Sequence, residues 1–311
     1  MLPIALAVVA AAGMGVFLLF ERDMRRARRR LAGRSQVINT TFGALEYASA
    51  GDGEPVLAIH GAGGGFDQGL EMTGVLTSHG WRLIAPSRFG YLRSSNPATT
   101  TPAVQADAYA ELLHSIAVRK AVVVGISAAA WSALQFAIRH PDLCRALVLL
   151  VPAAPLPKGT AIHGGLITRI IFASDFATWL ALKLVLPSSG RMRALMLGTP
   201  TDVLSAASAR EKLRVRDILV HLLPIRVRSA GMQIDIYSAA EAKPYTLDKI
   251  TCPVLAISAQ DDAFGTAARA KEIAAIVPNG TNVIFPSGGH TLTGRQTEVL
   301  RDVLSFLSTN R

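Results

Sequence analysis

The sequence predicts an α/β protein with a mainly parallel sheet and helices on both of its faces. Short apolar runs typical of strands alternate with segments of helical periodicity over residues 35–152, and the same pattern returns over residues 247–311. This alternation is typical of parallel strands joined by crossover helices. Residues 153–246 contain helical stretches but no strand run of comparable quality, so they are predicted to form an inserted helical cap.

The individual elements follow from local periodicity and turn residues. A hairpin is predicted over residues 35–50, with its turn near Gly43. Further strands are predicted at Pro55–Ile59, Trp81–Ala85, Ala121–Val124, Arg145–Val151, Pro253–Ser258 and Asn282–Phe285. Helices are predicted at Thr101–Ala117, Ala129–His140, Leu166–Leu186, Ser189–Leu197, Asp202–Leu223, Arg226–Ala242 and Gly294–Leu307.

Residues 1–34 are predicted to be a membrane anchor with a basic juxtamembrane segment. Leu2–Phe20 contains no charged residue and is long enough to cross a thin bilayer as a helix. Seven arginines follow between Arg22 and Arg34, so the formal net charge of +10 is largely local and does not indicate nucleic-acid binding. The positive-inside rule predicts a single-pass protein whose main part is cytoplasmic. A cleaved signal peptide is the alternative, although its positive charge normally precedes the apolar run.

Ser127 lies at a predicted strand–turn–helix junction. The strand Ala121–Val124 leads directly into Gly125-Ile126-Ser127-Ala128-Ala129, and helical periodicity begins at once. In a turn this sharp the backbone on either side of the serine passes close to itself, which favours small residues two places away. The turn is therefore consistent with a nucleophile elbow. Taken by itself, it is equally consistent with an ordinary serine N-cap.

A glycine-rich loop, His60–Gly65, follows the strand Pro55–Ile59. Glycines allow backbone N–H groups to face outward without side chains in the way. The loop lacks the residues of a Walker phosphate loop and does not cleanly match a dinucleotide fingerprint. An oxyanion hole remains, in which Gly61 or Ala62 supplies one N–H group and Ala128 the other. His60 is predicted to order the loop, unless it is a strand-end histidine without that role.

Together these motifs resemble the α/β-hydrolase superfamily. The resemblance rests on His60–Gly65, on Gly125–Ala129 and on Arg88–Ser95, which is similar to the R-x-G-x-G-x-S loop of that family with Leu92 at the second glycine. It extends from about Gly43 to the C-terminus, with a poorly matched middle. It implies the α/β-hydrolase fold with an inserted helical cap and a serine, an acid and a histidine in that order along the chain.

The resemblance and the predicted strand ends place the catalytic triad at Ser127, Asp262 and His290. The G-x-x-D of the family corresponds to Ala259–Asp262, which favours Asp262 over the fallback Asp261. His290 follows two glycines that leave room for its ring. Each residue follows a predicted strand, so one edge of the sheet can present all three. In such a triad the histidine accepts the serine proton and the carboxylate fixes the histidine tautomer.

These residues predict a serine hydrolase of the carboxylesterase or lipase type. It would cleave an ester-like bond of a small apolar or lipid-like substrate through an acyl-enzyme. No metal or organic cofactor is implied. Haloalkane dehalogenases and epoxide hydrolases carry an aspartate at the elbow, which Ser127 argues against. Carbon–carbon bond hydrolases, cofactor-free perhydrolases, acyltransferases and a non-catalytic ligand-binding protein on this fold are the alternatives.

The cap carries an apolar face that is predicted to pack onto the core and within the cap. The alternative is that part of this face lines an acyl pocket or touches the bilayer. Its members are Ile167, Ile170, Ile171, Phe172, Phe176, Trp179 and Leu180. Cys144 and Cys252 lie in or beside strand-like runs and are predicted to be buried free thiols.

Overall fold

An eight-stranded sheet forms the centre of the computed structural model, which describes residues 2–156, 172–185, 190–241 and 244–310. The strands are β1 (Gln36–Thr40), β2 (Gly43–Ala50), β3 (Glu54–Ile59), β4 (Trp81–Pro86), β5 (Ala121–Ile126), β6 (Cys144–Leu150), β7 (Val254–Ala259) and β8 (Gly280–Phe285). Their order across the sheet is β1-β2-β4-β3-β5-β6-β7-β8. Strand β2 pairs antiparallel with β1 and β4, and every other neighbouring pair is parallel. The predicted mainly parallel sheet is confirmed.

Helices cover both faces of this sheet, as predicted. The described helices are α1 (Leu2–Leu31), α2 (Phe66–Thr73), α3 (Pro102–Ser115), α4 (Ala130–Arg139), α5 (Asp175–Val185), α6 (Gly190–Leu197), α7 (Thr201–Ala206), α8 (Ala209–Val220), α9 (Ser229–Ala240), α10 (Thr266–Ile276) and α11 (Gln296–Thr309). Successive side chains of a strand point to opposite faces. Accordingly, Leu57 and Ile59 of β3 pack in one buried cluster with α3, α4 and α10, whereas Val56 packs in a second cluster with α11.

The sheet register brings the predicted site segments to one edge. Ile59 at the end of β3 lies beside Gly125 of β5, and Ala259 at the end of β7 lies beside Phe285 of β8. The carboxyl ends of parallel neighbours meet at the same edge, where sheets of this kind bind ligands. The loops after β3, β5, β7 and β8 therefore converge.

The described part of the inserted segment consists of helices joined by turns and short loops, but one predicted helix is wrong. Asp202–Leu223 was expected to be continuous, whereas the chain forms α7 and α8. The break occurs because Ser208 adopts an extended conformation and caps α8, its hydroxyl oxygen accepting a hydrogen bond from the Glu211 N–H at 3.2 Å. Serine is among the preferred N-cap residues.

Only part of the predicted apolar face of the cap is described. Ile167, Ile170 and Ile171 lie outside the described residues, as does the first part of the helix predicted over Leu166–Leu186. On α5, Trp179 is buried, while Phe176 and Leu180 are exposed. The described part of the face is therefore divided between the protein interior and the surface.

Helix α1 is long and apolar enough to cross a membrane, with a mean hydropathy of 2.4 in its most apolar stretch. Its C-terminal part packs against the cap. Met24 is fully buried in a cluster with Trp179 of α5, and Phe20 contacts Trp179 edge-on at 5.6 Å between ring centroids. Asp23 accepts a hydrogen bond from the Trp179 indole N–H at 3.1 Å. One continuous helix thus joins the apolar N-terminal segment to the folded domain.

Cys144 and Cys252 are free and buried, which confirms their prediction. Their Sγ atoms lie 3.5 Å apart. Because it shares a hydrogen bond with Cys252 and is buried, the Cys144 thiol has a pKa well above its ordinary value.

Candidate active site

The turn between β5 and α4 holds Ser127 in a strained conformation, with φ of +50°. The small-residue requirement is visible on both sides of the serine. A Cβ atom at Gly125 would approach the Ala133 Cβ to 2.8 Å, and Ala129 is completely buried. A non-glycine residue in the left-handed region is held there only when its surroundings enforce it, and such residues cluster at functional sites.

His290 connects Ser127 to Asp262. Its Nε2 atom lies 2.9 Å from Ser127 Oγ, and its Nδ1 atom lies 2.8 Å from Asp262 Oδ2. With the proton on Nδ1, the ring donates to the carboxylate and Nε2 is free to accept from the serine hydroxyl. Asp262 also accepts hydrogen bonds from the Phe264 N–H at 2.8 Å and from the Thr266 hydroxyl. Both carboxylate oxygens therefore have hydrogen-bond partners, Oδ1 with the Phe264 N–H and Oδ2 with His290 and Thr266.

Asp261 occupies a different position from its neighbour. Its carboxylate accepts hydrogen bonds from the backbone N–H groups of Gly288 and Gly289, at 3.2 and 2.8 Å. These glycines immediately precede His290. Asp261 therefore holds the loop that carries the histidine, and Asp262 is the acid that contacts the imidazole.

Gly61 and Ala62, the two residues of the glycine-rich loop predicted to donate an N–H group to the oxyanion, differ in the structure. The Gly61 N–H donates to Gln68 Oε1 at 2.8 Å, so this group is already engaged. Ala62 is exposed, and Ala128 follows the serine in the short 3₁₀ turn Ser127–Ala129. A Cβ atom on Gly61 would lie 3.3 Å from Ser127 Cβ, which shows how closely the loop approaches the serine. The geometry therefore favours Ala62 over Gly61 as the donor from this loop.

A family profile for the alpha/beta hydrolase fold matches residues 54–293. The chain belongs to the α/β-hydrolase fold family. Hydrolase YcgS of Bacillus subtilis (strain 168), described as uncharacterized, is 26% identical over 267 residues, covering 83% of this chain and 92% of the relative.

Two solved structures show the same fold. An alpha/beta hydrolase fold protein from Nakamurella multipartita has a TM-score of 0.68 at 24% identity and covers 86% of this chain and 97% of its own. A membrane phospholipase A described as a bacterial virulence factor has a TM-score of 0.62 at 20% identity. The latter match covers 100% of this chain, and so includes α1, and 98% of the other chain.

Within this α/β-hydrolase fold, His60 orders the glycine-rich loop His60–Gly65, in agreement with one of the two interpretations of the sequence. Its Nδ1 atom lies 2.7 Å from the Gly61 carbonyl oxygen, and Nε2 accepts the Arg88 N–H at 2.9 Å. Complete burial and the nearby Arg88 guanidinium lower the His60 pKa well below its ordinary value. The ring is therefore neutral, with its proton on Nδ1, as these two hydrogen bonds require.

Two functional residues of the cap have no motif in the sequence. Asp235 of α9 forms a buried ion pair with Arg88, which also donates to the Gly61 carbonyl oxygen at 3.0 Å. Tyr91 donates its hydroxyl to Asp235 and accepts the Gly63 N–H at 3.1 Å. Burial alone would lower the pKa of Arg88, but the Asp235 carboxylate offsets this and leaves it above its ordinary value. A single charged residue within an otherwise uncharged helix was the only signal for Asp235.

Arg228 is the second cap residue without a motif in the sequence. It contacts the C-terminal end of the glycine-rich loop His60–Gly65. It is completely buried, pairs with Asp67 at 2.8 Å and donates to the Gly64 carbonyl oxygen. Asp67 also pairs with Arg30 of α1 at 2.8 Å. Burial would raise the pKa of Asp67, but Arg228 and Arg30 together hold it below its ordinary value.

Over the described parts of the chain, no group of three or more His, Cys, Asp or Glu side chains is placed to hold a metal ion.

Proposed function

We propose that this α/β-hydrolase is a serine hydrolase that cleaves an ester-like bond of a small apolar or lipid-like substrate through an acyl-enzyme on Ser127. The observation that carries the proposal is the continuous hydrogen-bonded series from Ser127 through His290 to Asp262. A serine hydroxyl is a weak nucleophile at neutral pH, and an adjacent base whose tautomer is fixed by a carboxylate activates it.

In the proposed reaction, His290 Nε2 takes the Ser127 proton as Oγ attacks the substrate carbonyl carbon. The N–H groups of Ala62 and Ala128 stabilise the resulting oxyanion. When the tetrahedral intermediate collapses, His290 gives its proton to the departing alcohol oxygen. Water, deprotonated by His290, then attacks the acyl-enzyme, and the proton returns to Ser127 as the acid leaves.

The surface of α5 and the apolar part of α1 support an apolar or lipid-like substrate. Phe176, Leu180 and Leu184 are exposed at intervals of four residues and therefore form one stripe along α5. Phe176 contacts Phe20 of α1 with ring centroids 5.3 Å apart, and Phe20 ends the uncharged stretch. If α1 spans a bilayer, this stripe begins at the membrane surface, as for an enzyme that meets its substrate there. The similar structure of a membrane phospholipase A is consistent with this placement.

The test is hydrolysis of p-nitrophenyl esters of increasing acyl length by the full chain in detergent, beside Ser127→Ala. Ser115→Ala, at the end of α3, is the matched control, because it also removes one serine hydroxyl. We expect Ser127→Ala to lose turnover and labelling by a fluorophosphonate probe, while Ser115→Ala keeps both. Wild-type turnover in Ser127→Ala would refute the proposal. Turnover of vinylogous 1,5-diketones or of peracids, but not esters, would favour the carbon–carbon hydrolase or perhydrolase alternative.

A further inference from the structure

A small cavity of about 20 Å³ lies between the core and the cap. Its walls come from the loop after β4, the start of α3, the elbow with α4, and the cap helix α9. Ala128, the residue after the nucleophile, is part of the wall. The cavity therefore adjoins Ala128, one of the two residues proposed to bind the oxyanion. A space of this size admits one water-sized group.

Three residues that line this cavity each carry a buried N–H donor with no hydrogen-bond partner among the described residues. The donor atoms are Arg88 Nε, Gln105 Nε2 and Trp131 Nε1. The three residues are 6%, 5% and 3% exposed, so each is more than nine-tenths buried. An unmade hydrogen bond is costly for a buried donor, and native structures leave few of them. Three at one cavity indicate a site built for an acceptor.

The three donor groups are also held in place by contacts on their other sides. Gln105 Oε1 accepts the Phe89 N–H at 2.6 Å, which orients the amide. The terminal nitrogens of Arg88 are bound by Asp235 and by the Gly61 carbonyl oxygen. The Trp131 ring packs edge-on against Tyr245, with centroids 6.1 Å apart. Such groups need no rearrangement to bind, which is the condition for a specific polar subsite.

The charges of the cavity wall decide which acceptor suits it best. Arg88 is paired with Asp235, and both residues line the cavity, so the wall carries no formal net charge. An anionic group would meet the three donors but also the Asp235 carboxylate. A neutral carbonyl oxygen uses the donors without that repulsion.

We propose that this cavity is a substrate subsite for a neutral carbonyl oxygen, so that the preferred substrates are esters bearing a second carbonyl group a few bonds from the scissile one. This inference rests on the proposed ester hydrolysis and specifies its substrate class. Gln105 and Trp131 are specificity-determining residues in this reading, and Arg88 serves both the subsite and the oxyanion loop.

The experiment compares p-nitrophenyl pentanoate with its 2-, 3- and 4-oxo derivatives, which differ by one carbonyl oxygen at the same chain length. The readout is the ratio of kcat/KM for each oxo ester to kcat/KM for the plain ester, after subtraction of spontaneous hydrolysis. A variant that merely perturbs the structure changes both substrates and leaves this ratio constant. In the wild-type protein we expect a ratio of roughly ten or more for at least one oxo position, as two or three hydrogen bonds would give.

Two variants each remove one donor, Gln105→Glu with almost no change of shape and Trp131→Phe with the loss of the five-membered ring as well. Trp131→Phe deletes the indole N–H, and Gln105→Glu keeps the oxygen that accepts from Phe89 while replacing the donor by an acceptor. We expect Trp131→Phe to lower the ratio by about three- to tenfold, the range of one neutral hydrogen bond. Gln105→Glu should lower it further, because it adds repulsion. If one variant does not fold, the other still tests the proposal.

The outcomes separate this inference from the proposed function. A wild-type ratio near one at every oxo position, with both esters hydrolysed, would overturn the subsite and leave the serine hydrolase intact. A high ratio that neither variant changes would also overturn it. A preference for the mono-p-nitrophenyl ester of butanedioic acid over the 4-oxo ester would overturn the choice of a neutral acceptor. Absence of any hydrolysis and of fluorophosphonate labelling would refute the proposed function itself.

Discussion

Replacement of Arg30 by glutamine tests whether α1 is an integral part of the folded enzyme. The Arg30 guanidinium donates to Asp67 at 2.8 Å and to the carbonyl oxygens of His221 and Leu223 at 3.2 and 2.7 Å. It therefore connects α1 with both α2 and the cap. The side chains of Arg30 and Asp67 are 16% and 4% exposed, so solvent screens this ion pair only weakly.

The magnitude follows from what Asp67 retains in the variant. Removing one partner of a buried pair costs about 3–5 kcal/mol when the remaining charge is left alone. Asp67 still has Arg228 at 2.8 Å, so its charge stays compensated. The neutral glutamine amide has two N–H donors for the three acceptors that Arg30 binds. We therefore expect the net loss of about one charge-assisted hydrogen bond, roughly 2 kcal/mol. At about 2–4 °C per kcal/mol for a large domain, Tm should fall by about 4–8 °C.

The assay is thermal unfolding of the full chain in detergent, together with kcat on a p-nitrophenyl ester. Arg29→Gln is the matched control, because Arg29 is the preceding residue of the same helix and is exposed. We expect kcat to fall in Arg30→Gln as well, since Asp67 and Arg228 support the oxyanion loop. Equal Tm values for the Arg30 and Arg29 variants would refute the reasoning. That result would also favour the cleaved signal peptide over the membrane anchor as the interpretation of residues 1–34.

Three further predictions follow from the same contacts. Asp262→Asn should lower kcat by about 10⁴-fold, because the asparagine no longer fixes the histidine tautomer. Asp261→Asn should lower Tm and change kcat far less than Asp262→Asn does. Similar losses of kcat in both variants would contradict the assignment of Asp262 as the triad acid. Gly231→Ala should destabilise the protein by about 1–3 kcal/mol in denaturant unfolding, because overpacking has that cost. The new Cβ would lie 2.0 Å from a Tyr91 ring atom, so an unchanged midpoint would contradict this packing. A C-terminal green fluorescent protein fusion should fluoresce and an alkaline phosphatase fusion should be inactive in a bacterial host; an active phosphatase would reverse the proposed topology.

Residues that belong to a local motif were predictable from the sequence. The elbow around Ser127, the glycine loop and the positions of Asp262 and His290 each depend on a few consecutive residues and on the end of a strand. The structure brings these residues within hydrogen-bond distance because the parallel sheet places all the strand ends at one edge. The same logic predicted the hairpin β1–β2 and the sheet itself.

Contacts between distant segments were not predictable in this way. Asp235 pairs with Arg88 across 147 positions of the chain, and Arg228 pairs with Asp67 across 161. The hydrophobic periodicity of the sequence does not predict such an ion pair, because either charged residue alone resembles an ordinary surface residue. The division of Asp202–Leu223 into two helices was missed for another reason, since apolar spacing continues across Ser208 and hides the N-cap. Leu92, at the position where the family motif commonly has glycine, has a left-handed conformation with φ of +52°, a region that favours glycine.

Arg88 and Arg228 are buried for the same physical reason, which lies in the glycine-rich loop His60–Gly65. A loop whose N–H groups face the substrate turns some of its carbonyl oxygens toward the protein interior, where they need donors. Arg88 donates to the carbonyl of Gly61, and Arg228 donates to that of Gly64. Each guanidinium is neutralised by an aspartate, and in each pair one partner belongs to the cap and the other to the core.

Because each pair links the cap to the core, seating of the cap and ordering of the loop depend on the same two ion pairs. Buried ion pairs add little net stability compared with apolar packing, but loss of one partner leaves an uncompensated charge. A displaced cap would leave Arg88 of the core without Asp235 and Asp67 with Arg30 alone, and it would take the Arg228 donor away from the Gly64 carbonyl oxygen. The cap is therefore held in the position in which the carbonyl groups of the glycine-rich loop keep their donors. Arg30 extends this dependence to α1 through Asp67.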